Sequence, residues 1–225
     1  MPTITFASSK GGCGKSTSAV LLASALAAGS AVTVIDADPN QPVIRWSNRP
    51  GRPENLTVVG GVTQDTLLDA IDDAEGKTPF VIVDLEGTAN LLVSQALSRA
   101  DLAIVPLKGS TLDAIEALKL VRFITQQERA YRRSIPYRLL FTQTPPAIRS
   151  RTLKAIESDL LGQGVPMFNT ALHDRDAYRA VFAIGGTLAT LNSHDVGGLD
   201  AARSNADQYV AEIVKTLKGL RRAAA

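Results

Sequence analysis

Thr3-Ile4-Thr5-Phe6-Ala7-Ser8-Ser9-Lys10-Gly11-Gly12-Cys13-Gly14-Lys15-Ser16-Thr17 is the stretch on which the fold turns. A short β-prone apolar run enters a glycine-rich turn, and Ser16 to Ala28, rich in Ala and Leu, then reads as a helix stopped at Gly29. Glycines let successive backbone N–H groups point inward at an anion, and the helix N-terminus behind them adds its partial positive charge. Lys15 is then placed to reach the β- and γ-phosphates of a nucleotide, and the Ser16 hydroxyl to ligate Mg²⁺. Gly11, Gly12, Cys13, Gly14 and Thr17 complete the binding run, Cys13 mainly through its backbone N–H. The usual form of this loop asks for glycine five places before Gly14, where Ser9 stands. The sequence instead fits K-G-G-x-G-K-[ST], opened by a second lysine, Lys10.

Outward from the loop, short apolar runs alternate with stretches of helical period. That pattern predicts a doubly wound α/β fold, a mostly parallel sheet with helices on both faces, in a single domain over residues 1–225. Predicted strands are Thr3 to Ala7, Ala31 to Ile35, Leu56 to Val59, Phe80 to Val83, Leu102 to Val105, Leu139 to Thr142 and a short one near Met167. Predicted helices are Thr66 to Asp73, Asn90 to Arg99, Thr111 to Arg133, Ser150 to Leu161, Asp174 to Phe182 and Asp200 to Leu220, besides the first. Ala223 to Ala225 reads as a frayed end.

Composition excludes several classes. With 45% hydrophobic and 20% charged residues and a net charge of +2, the chain is not dominated by disorder. Apolar stretches such as Ala19 to Ala28 are too short to span a bilayer, and Met1-Pro2 has no charged leader behind it, so a cytoplasmic protein is expected. The single cysteine and two histidines make a disulfide, an iron–sulfur cluster or a zinc centre improbable. Basic charge is segregated: residues 121–154 hold eight basic and one acidic side chain, and 203–225 hold five and two. Such clusters suit either solvated helix faces or a polyanion surface.

These motifs resemble the ParA/MinD family of deviant Walker ATPases, from Met1 to about Leu220. Asp36-Ala37-Asp38-Pro39-Asn40-Gln41 is similar to its D-x-D-P switch I, and Val81-Ile82-Val83-Asp84-Leu85-Glu86-Gly87-Thr88 to its Walker B strand and switch II. The chain looks like the small ParA type, without an N-terminal DNA-binding extension. Phe168 to Tyr178 and Gly185-Gly186-Thr187-Leu188 also resemble the VirC-type relatives. The resemblance implies an ATPase using ATP and Mg²⁺, with Lys10, Lys15 and Asp38 as its catalytic residues. Lys10 would reach a partner's phosphates in an ATP-dependent homodimer, and Asp38 would orient the attacking water. Ser16, Asp84 and, nearby, Asp36 would hold the metal. Glu86 reads as a solvated loop position rather than a base. Adenine would lie against Gln143-Thr144-Pro145-Pro146 and Phe168 to Leu172, with Gln143 on the base edge.

The resemblance further implies non-specific binding to double-stranded DNA, a nucleoid-associated location, and an adaptor of ParB type that stimulates hydrolysis. Candidate DNA contacts are Arg179, Arg203, Lys215, Lys218, Arg221 and Arg222, with Arg129, Arg132, Arg133, Arg149, Arg151 and Lys154 as a second group. A MinD-like alternative would use Val210, Ile213, Val214, Leu217 and Leu220 as the apolar side of a membrane helix, but no Trp or Phe marks an anchor there. The nitrogenase iron-protein branch needs cluster cysteines that this chain lacks.

Overall fold

Parity along the strands sorts the core. In a strand, successive side chains point to opposite faces, and here both faces are apolar. Ile4, Phe6, Val32, Val34, Ile82, Leu102, Ile104 and Leu140 enter one buried cluster, whereas Ile35, Val81, Val83, Ala103, Val105, Leu139 and Phe141 enter another. The computed structural model that provides these positions describes residues 1–87, 90–147 and 150–224; Thr88, Arg149 and Ala225 lie outside the described residues.

The strands are β1 (Thr3–Phe6), β2 (Val32–Ala37), β3 (Leu56–Val59), β4 (Phe80–Leu85), β5 (Leu102–Leu107), β6 (Tyr137–Thr144) and β7 (Leu172–His173). They form one sheet in the order β3-β2-β4-β1-β5-β6-β7, with every pairing parallel. The helices are α1 (Lys15–Ala27), α2 (Pro42–Ser47), α3 (Leu67–Glu75), α4 (Leu91–Arg99), α5 (Thr111–Tyr131), α6 (Arg151–Gly162), α7 (Asp176–Ile184) and α8 (Leu199–Ala224). Side chains of α1, α2, α7 and α8 cover the first face and those of α3 to α6 the second. Because β1 lies between β4 and β5, the chain leaves it at a topological switch point, where the loops diverge and open a crevice.

Three helix starts follow from local caps. The side chains of Asn90, Ser110 and Ser150 accept bonds from the backbone N–H of Val93, Asp113 and Leu153, three residues on. Two expectations are corrected. The last strand lies at Leu172–His173, while Met167 makes only an isolated bridge to Leu139, because the Pro166 carbonyl and the Phe168 N–H bond to Leu139 and hold the chain there as a single crossing. Helix α8 extends through Ala224, past the expected end at Leu220, and Ala225 lies outside the described residues.

The Gly185-Gly186 pair is a packing requirement. A Cβ on Gly185, at φ +104°, would lie 2.6 Å from Arg49 Cβ and 2.8 Å from the Pro50 carbonyl oxygen. The adjoining Gly186 carbonyl accepts the indole N–H of buried Trp46 at 2.9 Å, tying α2 to the turn after α7. Gly185→Ala combines a left-handed φ with a backbone clash and is expected to destabilise the chain by about 2 kcal/mol or more, measured as a shift of the urea midpoint. A shift under about 0.5 kcal/mol would refute this packing account.

Candidate functional site

The phosphate loop is a backbone structure approached on two flanks. Gly12 and Gly14 hold positive φ (+71° and +87°), and Gly14 is the N-cap of α1, which has neither a side-chain cap nor an acidic first turn. Its leading N–H groups are therefore available to an anion. On one flank a Cβ at Gly87 would lie 2.8 Å from the Gly11 nitrogen, so only glycine permits the end of β4 to run this close. On the other, Thr142 Oγ1 donates to the Cys13 carbonyl at 2.6 Å. Gln143 follows at φ +53°, where the β6–β7 register shifts between Thr142 and Thr144. That irregularity turns Gln143 onto the loop, and its Nε2 donates to the Gly12 carbonyl at 3.0 Å.

Lys15 is 6% exposed, and its ammonium donates to Ser8 Oγ at 3.0 Å and to the Lys10 carbonyl at 3.5 Å. One good bond and one long one leave much of a three-donor cation available for phosphate oxygens. Cys13 is 3% exposed, with its thiol 3.1 Å from Ser8 Oγ, so it contributes packing and backbone rather than a reactive sulfur. Lys10 lies outside the cradle. Its Nζ donates to Asp113 Oδ1 of α5 at 2.8 Å, and the proximity raises the lysine's proton affinity. Burial pushes the Asp113 carboxyl upward, but bonds from Lys10 and Ser110 prevail and hold it below its ordinary value.

The three switch carboxylates have different surroundings. Asp84 is fully buried, and neither carboxylate oxygen has a hydrogen-bond partner. Burial pushes its pKa up to about 7, opposed by the Ser16 hydroxyl, which lies near but outside bonding geometry, and by the Lys15 charge. A buried, orphaned carboxylate beside a hydroxyl suits a divalent cation. Asp36 lies beside it in register on β2, but its Oδ2 accepts the N–H groups of Val43 and Ile44 at 2.8 and 2.9 Å. It is the cap of α2, a helix absent from the sequence expectation because its cap comes from a preceding strand. Asp38 stands at the mouth with Asn40, whose backbone N–H donates to its Oδ1 at 2.8 Å. Asp38, Glu86, Lys15, Ser16 and the glycines line one cavity of about 420 Å³.

A second cavity, about 210 Å³, continues from Gly14 and Thr17 past Gln143 to Leu172, His173, Arg175 and Tyr178. Gln143 borders this cavity, and of Phe168 to Leu172 only Leu172 does. Phe168 is core, and the N–H groups of Asn169 and Thr170 donate to Glu212 of α8. His173, Arg175 and Tyr178 were not expected. Their signal was the polar run just after the short last strand, where doubly wound folds place ligand contacts. Buried Asn205 of α8 fixes this wall, accepting the His173 N–H and the Tyr178 hydroxyl on Oδ1 at 3.0 Å each.

The DNA candidates separate into held and free side chains. Arg179 is paired with Asp174 and Asp176. Arg203 donates to the carbonyls of Leu188 and Leu191 at 2.8 and 3.2 Å, closing the turn after α7. In the second group Arg133 is likewise engaged, by the Leu97 and Ala100 carbonyls. Lys215, Lys218, Arg221 and Arg222 on α8 have no ion pair among the described residues.

A family model described as VirC1 protein matches residues 1–217. The chain belongs to the VirC1 family. Among curated relatives, this VirC1-family chain is 39% identical to "Protein ParA" of Rhizobium radiobacter over 218 residues, covering 96% of this chain and 98% of that one. It is 31% identical to "Protein virC1" of Rhizobium rhizogenes, covering 85% and 84%. Apo McdA of Cyanothece superposes with a TM-score of 0.74 at 15% identity, covering 92% of this chain and 99% of that one. MinD of Aquifex aeolicus superposes at 0.70 and 16%, covering 94% and 98%. These neighbours establish the fold as that of the ParA/MinD-type P-loop NTPases. Among the described residues no helix is long and apolar enough to cross a membrane.

Because the folded-state pKa of Asp84 is raised, the folded chain keeps a proton between the ordinary carboxylate range and about pH 7 that the unfolded chain releases. The stability contributed by neutral Asp84 is therefore full in acid and lost as pH rises through 7. Asp84→Asn should melt higher than wild type at pH 8 without nucleotide, with the gap closing toward pH 5, and it should lose the stabilisation that Mg²⁺ with nucleotide gives wild type. A gap independent of pH would refute the buried, unsatisfied carboxylate.

Proposed function

We propose that the chain is an ATP-driven positioning ATPase of the partition type, which dimerises on ATP, binds DNA without sequence preference and is released by partner-stimulated hydrolysis. The observation that carries this reading is one nucleotide-sized cavity lined by Lys15, Ser16 and Asp38, with the orphaned carboxylate of Asp84 buried near Ser16, in a VirC1-family chain. The cargo in this reading is a plasmid, transferred DNA or a protein assembly, brought by an adaptor of ParB type; relatives and neighbours include a plasmid partition protein of Borrelia burgdorferi and a carboxysome distribution protein of Gloeobacter kilaueensis.

Phosphoryl transfer is mainly a matter of positioning and charge neutralisation. The α1 N-terminus and Lys15 hold the β- and γ-phosphates, and Gln143 faces the base. Ser16 and Asp84 would hold Mg²⁺, which would supply charge neutralisation at the phosphates. Asp36 keeps switch I in place by anchoring α2, and Asp38 at the mouth positions the attacking water. Lys10 completes the charge in the partner's site, so turnover follows dimerisation. Its bond to Asp113 has to break for that reach, which keeps the isolated chain a slow enzyme.

Lys15→Ala should weaken ATP binding at least a hundredfold by calorimetry, and Lys10→Ala should bind ATP but remain monomeric by light scattering. Asp38→Ala should bind and dimerise with turnover at least tenfold down; turnover at the wild-type rate would remove the role assigned to Asp38. Asp113→Asn should form the ATP dimer several-fold faster than wild type in stopped-flow mixing, and an unchanged or slower rate would mean that the Lys10 contact is no restraint.

A further inference from the structure

From sequence, Glu86 reads as a solvated loop position, yet it is half-buried and borders the cavity of about 420 Å³ at the phosphate loop. Among the described residues only two carboxylates border that cavity, Asp38 and Glu86. Asp36 and Asp84 are buried, 1% and 0% exposed. Strand pairing explains why the first two meet. Strands β2 and β4 are parallel neighbours with Asp36 opposite Asp84 and Ala37 opposite Leu85, so the next residues out of the sheet are Asp38 on one segment and Glu86 on the other. Neighbouring strands lie about 4.8 Å apart and side chains two residues apart share a face, so both carboxylates emerge on the side of the buried pair.

The two are held in different ways. Asp38 Oδ1 accepts both the backbone N–H and the side-chain amide of Asn40, at 2.8 and 3.1 Å, which fixes that carboxylate in a local turn and leaves its Oδ2. Glu86 is fixed through its main chain instead. A Cβ on Gly87 would lie 2.8 Å from both the Gly11 nitrogen and the Lys10 carbonyl carbon, so the residue after Glu86 is pressed onto the phosphate loop itself. The Glu86 carboxylate makes no hydrogen bond or ion pair with a described residue. Its position then decides what it can do. A carboxylate beside the phosphates repels a nucleotide's negative charge, so it serves nucleotide binding badly. Toward a neutral water at the same place it is a strong hydrogen-bond acceptor.

We propose that Glu86 is a catalytic residue of ATP hydrolysis that shares the attacking water with Asp38. The assignment rests on the ATPase reading above. A water has two hydrogens to donate, and a single acceptor leaves it free to turn about that one bond. With Asp38 Oδ2 taking one hydrogen from the end of β2 and Glu86 the other from the end of β4, the water's lone pairs face away from both carboxylates, toward the γ-phosphate that Lys15 and the loop amides hold. The water oxygen bonds the γ-phosphorus, the bond from that phosphorus to the β–γ bridging oxygen breaks with its electron pair left on ADP, and both hydrogens leave on the phosphate as dihydrogen phosphate. The carboxylates orient and keep no proton. Because each switch segment supplies one acceptor, the water is aimed only when both segments are in place.

The test is phosphate release by the full chain at saturating ATP and Mg²⁺, with ATP affinity read by calorimetry and folding by melting temperature. Glu86→Ala should bind ATP as tightly as wild type or more tightly, and turn over about tenfold more slowly. Glu86→Gln keeps one acceptor oxygen and should lose less than Glu86→Ala. Since two acceptors orient one water, Asp38→Ala/Glu86→Ala together should be about as slow as the slower single variant, rather than down by the roughly hundredfold product of independent effects. Turnover at the wild-type rate in Glu86→Ala overturns the assignment, and so does a double variant at the product of the single effects. Weaker ATP binding or a lowered melting temperature in both Glu86 variants also overturns it, by making Glu86 a binding or packing residue. In each of these outcomes wild-type hydrolysis stands. A wild-type chain that releases no phosphate removes the ATPase reading, and this role of Glu86 with it.

Discussion

Three stretches of backbone meet at the phosphate loop, and the rest of the site depends on how closely they do so. At Gly87 a single Cβ would overlap the Gly11 nitrogen, while Thr142 bonds the Cys13 carbonyl from the other flank. With main chain on both flanks, the loop keeps its N–H groups aimed inward before any anion arrives, so little reorganisation is needed on binding. The closeness also means that a displacement after β4, by metal or phosphate, is felt by the loop through direct contact. Parallel strands supply this proximity because β1, β4 and β5 are neighbours whose C-terminal ends lie on the same side of the sheet.

Burial then sets the chemistry. Lys15, which lines the cavity, and Asp84, buried nearby, are both largely removed from water; Lys15 has one good bond, to the neutral Ser8 hydroxyl, and Asp84 has none. Such an arrangement is costly in the isolated chain, and under the proposed function a metal–nucleotide complex would relieve it by supplying opposite charge to each. Asp36 illustrates the contrast. The same residue type, one strand away and in register with Asp84, is satisfied by two backbone amides and serves as a cap.

Legibility in the sequence followed the range of the interactions. Helices α4, α5 and α6 begin where expected because their caps are Asn90, Ser110 and Ser150, three residues from the amides they satisfy. The glycine loop and the carboxylate segments were legible as strand ends for the same reason, since each is a strand end and the loop that follows it. What was not legible depends on contacts between distant segments. Helix α2 has only six residues, starts at Pro42, and takes its cap from Asp36 on the preceding strand. In the wall of the second cavity, His173 and Tyr178 are fixed by Asn205, about thirty residues downstream. A chain of residues also gives no sign of which arginines will be paired: Arg179 and Arg203 looked like surface charge until their partners were in place.

Helix α8 gathers these threads, because its inner face bonds to α1 and to the segment around β7. Tyr209 donates to the Ser18 carbonyl in the first turns of α1, Asn205 fixes the His173 wall, and Glu212 receives the amides of Asn169 and Thr170. The same anchoring argues against a helix that detaches to lie in a bilayer. Detachment would expose Tyr209, Ile213 and Leu217 and strip α1 and the wall of the second cavity of their support, so lipid binding would come at the expense of the nucleotide site it is meant to report.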